Sequence, residues 1–243
     1  MSLRFPFSET AIVAHRGAHC CGREENSLPA IQHALDLDVR GIETDVCNLA
    51  DGELVLSHNP YVTLDGLAIP LTALTLPELL SLPVCKGVVR AAEAMELFRT
   101  SGAFLCLDWK GLGDEQQLVH LIDDFRLGAR TIVCSHQPDS LLRIKEGSRG
   151  LLTGLSVRGG ERVGGEASAG RRIGEIATRL RAVGADAAML ELGLASPALL
   201  GALRSGGTGV FVWTAKDPET RHILTGLAPD GIMADVLEEH TDL

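Results

Sequence analysis

Short apolar runs and helix-period segments take turns along the whole chain, and this alternation limits the fold more than any other feature. AIVAHRG is followed by SLPAIQHALDLDV, in which Leu28, Ile31, Ala34 and Leu35 fall at helical spacing. GIETDVCNLADGELVLSHN, AAEAMELFRTSG, FLCLDWKG, DEQQLVHLIDDFRLG and TIVCSH come next. PDSLLRIKEGS, LLTGLSV, IGEIATRLRAVG, AAMLELG, SPALLGALRSGG, GVFVWTA, DPETRHILTGLA and DGIMAD complete the series. Parallel strands need crossover connections, usually helices, so the pattern predicts a parallel sheet. TDVCNL and ELVLSH are separated only by ADG, too short for a crossover, and predict an antiparallel hairpin. Setting that return strand aside leaves eight βα-type strands. The expected fold is therefore α/β, a (β/α)8 TIM-type barrel with a β-hairpin extension after strand 2. A doubly wound open sheet is the alternative. No GxGxxG follows the first strand and no GKS/T occurs, so nucleotide loops lend it no support.

The 243 residues, 45% of them hydrophobic, suit one large domain spanning 1–243. Aromatics make up only 4%, so an aliphatic core is expected. A net charge of −10 argues against nucleic acid as a partner, because phosphates need Lys and Arg to neutralise them. It gives no reason to expect an anionic membrane either. An anionic small-molecule substrate would need local attraction, from a metal or a few cations. No run of about 18 apolar residues appears, and the N-terminus lacks a signal-like apolar stretch, so no stable membrane insertion is expected. The six cysteines form no CxxC pair, and Cys106 and Cys134 sit in apolar runs as small core residues. The expectation is a cytoplasmic protein with free thiols, a homo-oligomer being compatible with it. The Gly-rich stretch 158–172 is expected to be an exposed loop after the fifth barrel strand, and Cys20-Cys21 two incidental loop thiols.

In such a barrel chemistry gathers at the C-terminal ends of the strands. The first ends in His15-Arg16-Gly17, the second carries Glu43 and Asp45, and the hairpin returns with His58 and Asn59. The next strands end in Asp108-Trp109-Lys110 and Ser135-His136, and the later ones in Glu191, Trp213-Thr214 and Asp235. Glu43 and Asp45 are two apart, so their side chains share one face. Two carboxylates held together repel unless a cation lies between them, and a hard divalent ion with oxygen ligands answers that, with Asp108 as a third ligand. Two histidines on different elements suit a reaction that takes one proton and gives another. Arg16 and Lys110 suit phosphate oxygens. His33, His120, His222 and His240 read as surface residues, and His19 and His136 are left open. Together the residues point to metal-assisted phosphoester chemistry.

HRG, EN-S, G-IE-DV, DG-LV--H, D-K, VWT and DGI--D occur here in an order that resembles the glycerophosphodiester phosphodiesterase family, from Ile12 to about Val236. The resemblance implies a TIM-type barrel that hydrolyses a glycerophosphodiester to glycerol 3-phosphate and an alcohol. It implies His15 and His58 as the catalytic histidines, and Glu43 and Asp45 as ligands of Mg²⁺ or Ca²⁺. By the same resemblance, Arg16 and Lys110 contact phosphate, Asn26 matches the Asn of a substrate-side segment, and Trp213 lines the pocket. Asp108 stands where the family usually has Glu, one methylene longer. Asn59 stands where an Asp commonly follows the second histidine, which leaves the partner of His58 to be found. His136 replaces a usual aromatic, Glu24 a usual Pro, and the family's Arg-Thr-Thr run is missing after His58. Three other readings compete: a lysophospholipase D or sphingomyelinase D-like lipid phosphodiesterase, a phosphoester-binding barrel without catalysis, and an unrelated sugar-phosphate enzyme.

Overall fold

The computed structural model describes residues 5–20, 22–159 and 166–237, with backbone alone for 166–169. The chain runs β1 (Ala11–Ala14), α1 (Leu28–Asp36), β2 (Gly41–Asn48), β3 (Leu54–Leu56), β4 (Tyr61–Leu64) and β5 (Leu67–Pro70). It continues through α2 (Leu76–Ser81), α3 (Ala91–Arg99), β6 (Phe104–Trp109), α4 (Glu115–Asp124), β7 (Thr131–Ser135), α5 (Pro138–Gly147) and β8 (Leu152–Val157). It ends with α6 (Glu166–Val183), β9 (Ala187–Glu191), α7 (Pro197–Ser205), β10 (Gly209–Ala215), α8 (Pro218–Leu227) and β11 (Gly231–Ala234). Helix starts follow local chemistry. The side chains of Ser27, Ser196 and Asp217 each accept a backbone N–H in the first turn, and Pro follows at the head of each helix.

Eight parallel strands close into a barrel in the order β1-β11-β10-β9-β8-β7-β6-β2, and β2 returns to β1. The expected (β/α)8 barrel is what the chain forms. The expected hairpin forms too: β2 outruns its neighbours, and Val46–Asn48 pair antiparallel with Leu54–Leu56. A second hairpin, β4-β5, was not foreseen. It turns on Asp65-Gly66, both at positive φ, as a two-residue turn between right-twisted strands requires. Its strands are largely exposed, so they carry little of the apolar alternation that marks a half-buried strand. No described helix is long and apolar enough to cross a membrane.

The layer between barrel and helices is aliphatic, as expected, with Ile31, Ile42, Leu105, Leu107, Leu155 and Leu190 fully buried. The barrel floor corrects that expectation. Phe104 and Phe211 lie there, and Phe5 enters from below, edge-on to both at 6.1 and 5.2 Å. Phe98 and Trp109 are buried in the outer layer as well. Bare backbone makes the room, since a Cβ on Gly209 would sit 2.2 Å from the Phe5 ring. Above this floor, Cys106 and Cys134 are buried with their sulfurs 3.3 Å apart, far longer than a disulfide. No disulfide occurs among the described residues, and Cys21 lies outside them.

Candidate active site

After β1 the backbone turns sharply, with Arg16 at φ 56° and Gly17 at φ 78°. Gly17 is required there, because a Cβ would meet the Ala30 carbonyl carbon at 2.8 Å. The turn aims the Arg16 N–H at Glu43 Oε2, 2.9 Å away. The Arg16 guanidinium donates to Glu25 at 2.6 Å, and its Nε lies 3.1 Å from Asp45 Oδ2. That second contact is a charge pair at ion-pair distance whose N–H is not aligned for a hydrogen bond.

Glu43 and Asp45 face the barrel interior from β2, and Asp108 stands beside Asp45 on β6. One oxygen from each of the three lies within 4.8 Å of the others. Burial raises the Glu43 carboxyl well above the ordinary range, and the nearby Asp45 and Asp108 raise it further. Asp45 goes the other way. Burial would raise it, but the His58 hydrogen bond, the charges of Lys110 and Arg16 and the Asn26 amide together hold it low. Burial raises Asp108, although the adjacent Lys110 opposes it. Lys110 donates to Asp108 and lies 3.1 Å from Asp45 Oδ1. Asp108 Oδ1 is buried without a hydrogen-bond partner. A buried carboxylate oxygen is costly to leave bare, so the cluster has both the oxygen donors and the unmet demand that suit a hard cation.

The two histidines flank this cluster. His15 Nδ1 lies 2.7 Å from Asp235 Oδ1, and its Nε2 lies 3.9 Å from Glu43 Oε2. Asp235 is held in its charged form. Burial would raise its carboxyl, but the His15 and His19 contacts outweigh that. An ionised carboxylate only accepts, so the Nδ1 proton of His15 is fixed and Nε2 is left as the working atom. His58 Nδ1 lies 3.4 Å from the Asp45 carboxylate, and its Nε2 3.4 Å from Arg16 Nη2. Asp45, not residue 59, is thus the partner of His58. Asn26 holds Asp45: its amide donates to Asp45 Oδ2 at 2.9 Å and its oxygen accepts the Asp45 N–H at 3.0 Å.

His15, Arg16, Glu43, Asp45, His58, Asp108, Lys110 and Trp213 line one cavity at the C-terminal ends of the strands. His136, Ser156 and Arg158, from the ends of β7 and β8, complete the lining. Trp213 donates its indole N–H to Met189 O at 3.0 Å and meets the His136 ring edge-on, 6.0 Å between centroids. Burial, then Arg158, lowers His136 to about 4, so at neutral pH it is uncharged. Its Nδ1–H then donates to Ser156 O at 3.2 Å. His19, left open by the sequence, shares Asp235 with His15 at 3.3 Å. His33 is half-buried, not a surface residue, His120 and His222 are exposed, and His240 lies outside the described residues. Asp235 and Arg158 were not foreseen as site residues. The DGI--D segment carried the signal for the first; the exposed-loop reading of 158–172 hid the second, and it fails over 166–172, which belong to α6, while 160–165 lie outside the described residues.

Residues 15–112 match the model of the glycerophosphoryl diester phosphodiesterase family. None of the curated proteins compared matches the chain. Among solved structures, a candidate glycerophosphoryl diester phosphodiesterase from Silicibacter pomeroyi superposes with a TM-score of 0.80 at 18% identity, covering 96% of this chain and 92% of its own. A phosphodiesterase from Oleispira antarctica, solved in complex with the product sn-glycerol-3-phosphate, gives 0.73 at 20%, covering 93% of each chain. The glycerophosphodiester phosphodiesterase of Thermotoga maritima gives 0.71 at 22%, covering 94% of this chain and 96% of its own. At these identities the structures share the fold; the family match rests on the segment that holds His15, His58, Arg16, Lys110 and the three clustered carboxylates. Residues 15–112 of this chain are thus similar to the glycerophosphoryl diester phosphodiesterase family, in the part that carries most of the candidate site.

Proposed function

We propose that this protein is a metal-dependent phosphoric diester hydrolase that cleaves a glycerophosphodiester to glycerol 3-phosphate and an alcohol. The observation that carries this reading is the pairing of each histidine with a carboxylate on either side of a three-carboxylate cluster that leaves one buried oxygen bare. Glu43, Asp45 and Asp108 would hold the cation, Mg²⁺ or Ca²⁺. When bound, it supplies Lewis-acid polarisation of a phosphoryl oxygen. Arg16 and Lys110, at the same cluster, offset negative charge that grows on the phosphoryl oxygens. One histidine takes a proton from the attacking water as its oxygen bonds to phosphorus. The other gives a proton to the alcohol oxygen as the old P–O bond breaks. Asp235 fixes the tautomer of His15, Asp45 that of His58, and Asn26 holds Asp45 in place.

The deciding experiment is release of glycerol 3-phosphate from a panel of glycerophosphodiesters with Mg²⁺, Ca²⁺, Mn²⁺ or chelator. Metal-dependent release is expected. His15→Ala and His58→Ala should each lower kcat on the order of a hundredfold or more with the fold unchanged by circular dichroism. Retained activity in either variant, or full activity in chelator, would overturn the assigned roles.

A second reading, a lipid phosphodiester substrate, has its own observation. An apolar groove lined by Tyr61, Ala68, Pro70, Leu71 and Leu112 is built from the segments that run on from His58 and Lys110. Turnover of lysophospholipids with none of soluble diesters would select that reading.

A further inference from the structure

The cavity has two walls of different character. β1, β2 and β6 adjoin one another and carry His15, Arg16, the carboxylates and Lys110. β8 stands across the barrel from β1, and Arg158 follows directly from its end. Arg16 and Lys110 are committed to carboxylates. Arg158 is not. Among the described residues no carboxylate lies within ion-pair reach of it, and the nearby Glu191 is turned to the Gly159 backbone N–H instead. Its guanidinium lies over the Trp213 ring, 5.8 Å from the centroid. That stacking orders a long side chain at the cavity rim while leaving the N–H fork free.

The stacking also decides which charge the wall accepts. A tryptophan face in a pocket attracts a cation, so on its own Trp213 would suit an alcohol bearing an ammonium group. Here a guanidinium already occupies that attraction, and an incoming cation meets like charge. An anion meets a fork of donors that no carboxylate among the described residues occupies, and the fork matches carboxylate and phosphate oxygens. His136, uncharged and with Nδ1 tied to Ser156, leaves Nε2 to accept a hydroxyl.

From the placement of Arg158 on Trp213, across the mouth from the His15-Arg16 end of β1, we infer that this wall is a subsite for an anionic substituent on the substrate's alcohol. With the scissile phosphate at the β1-β2-β6 wall, the alcohol reaches across the barrel mouth. The preferred substrate is then a phosphodiester whose alcohol carries a second phosphate or a carboxylate, with choline-type esters disfavoured. This inference rests on the activity proposed above.

The test uses three diesters with glycerol 3-phosphate in common: glycerophosphoglycerol, glycerophosphocholine and glycerophosphoglycerol phosphate. The wild-type protein with metal should show kcat/KM highest for the anionic ester and lowest for the choline ester. Arg158→Gln should lower the anionic-to-neutral ratio on the order of tenfold, the effect of one charge-assisted hydrogen bond, and Arg158→Glu should invert the anionic-to-choline preference. Equal loss on all three esters would place Arg158 on the scissile phosphate and overturn the inference, as would a wild-type preference for choline. Turnover of glycerophosphoglycerol, whose alcohol carries no charge, tests the activity separately. If no ester is turned over, the activity fails, and calorimetric binding of the same esters to the metal-loaded protein judges the subsite. Tighter binding of the anionic ester, lost in Arg158→Gln, sustains the inference; equal binding overturns it.

Discussion

Asp235 shows how much of this site is held by single side chains that never touch the reacting atoms. It lies 220 positions from His15 along the chain and 2.7 Å from it in space, because closure of the barrel sets β11 beside β1. Its charge fixes which nitrogen of His15 carries the proton. Replacing it with Asn keeps the size but lets the amide present either a donor or an acceptor, so the tautomer is no longer imposed. Asp235→Asn is expected to lower kcat on the order of 10² to 10⁴, the range such a change spans where a carboxylate orients a catalytic histidine. KM should move little, because the residue contacts no substrate, and the melting temperature should hold, because the side chain is only half-buried. A variant with normal kcat would remove Asp235 from the catalytic arrangement; one with raised KM alone would make it a binding residue. His19 shares the same oxygen, at a longer 3.3 Å, so His19→Ala serves as the control that should leave kcat nearly unchanged.

At the scale of one element, β2 concentrates the site's electrostatics. Its alternation puts Glu43 and Asp45 on one face, and their surroundings push them apart, Glu43 up and Asp45 down. A carboxyl raised by folding binds more protons folded than unfolded. Its contribution is full below its unfolded pKa and is lost as pH rises through the folded value. A carboxyl lowered by folding contributes above its unfolded pKa and loses this as pH falls. The metal-free chain should therefore lose stability as pH climbs above the ordinary Glu range, through the raised pKa of Glu43, and again in strong acid, where Asp45 is protonated. Metal binding requires the deprotonated ligands, so it should offset the first loss. Thermal unfolding with Mg²⁺ or chelator checks this: the gain from Mg²⁺ should be larger at pH 8 than at pH 5. An equal gain at both would mean that Glu43 is not a ligand. The β2 spacing itself is legible in the sequence, since period two is all it needs. The opposite signs of the shifts are not, because they depend on Arg16, Asn26, His58 and Lys110 arriving from three other segments.

For the whole molecule, strand-helix alternation pointed to the barrel, since eight parallel strands joined by seven crossovers have few ways to pack. What stayed hidden has two physical causes. The β4-β5 hairpin is exposed, so burial never imposed a pattern on it. The partners of His15 and His58, and the stacking of Arg158 on Trp213, are made by closure between distant segments and leave no local period. Closure also divides the molecule into two faces, with the chemistry at the C-terminal strand ends and the aromatic floor at the other end. The division can be tested from the floor. Phe5 is 5% exposed and packs edge-on to Phe104 and Phe211, so Phe5→Ala leaves a cavity under the barrel. It should cost about 3–5 kcal/mol of unfolding free energy, measured by denaturant titration. At temperatures well below the lowered melting point, kcat on the best diester should match wild type, because the ring packs at the opposite end of the barrel from the carboxylates and histidines. A fall in kcat with stability intact would show that the floor sets the geometry of the carboxylates above it, through the stacked layers of Cys106 and Cys134, and that the two faces are mechanically one.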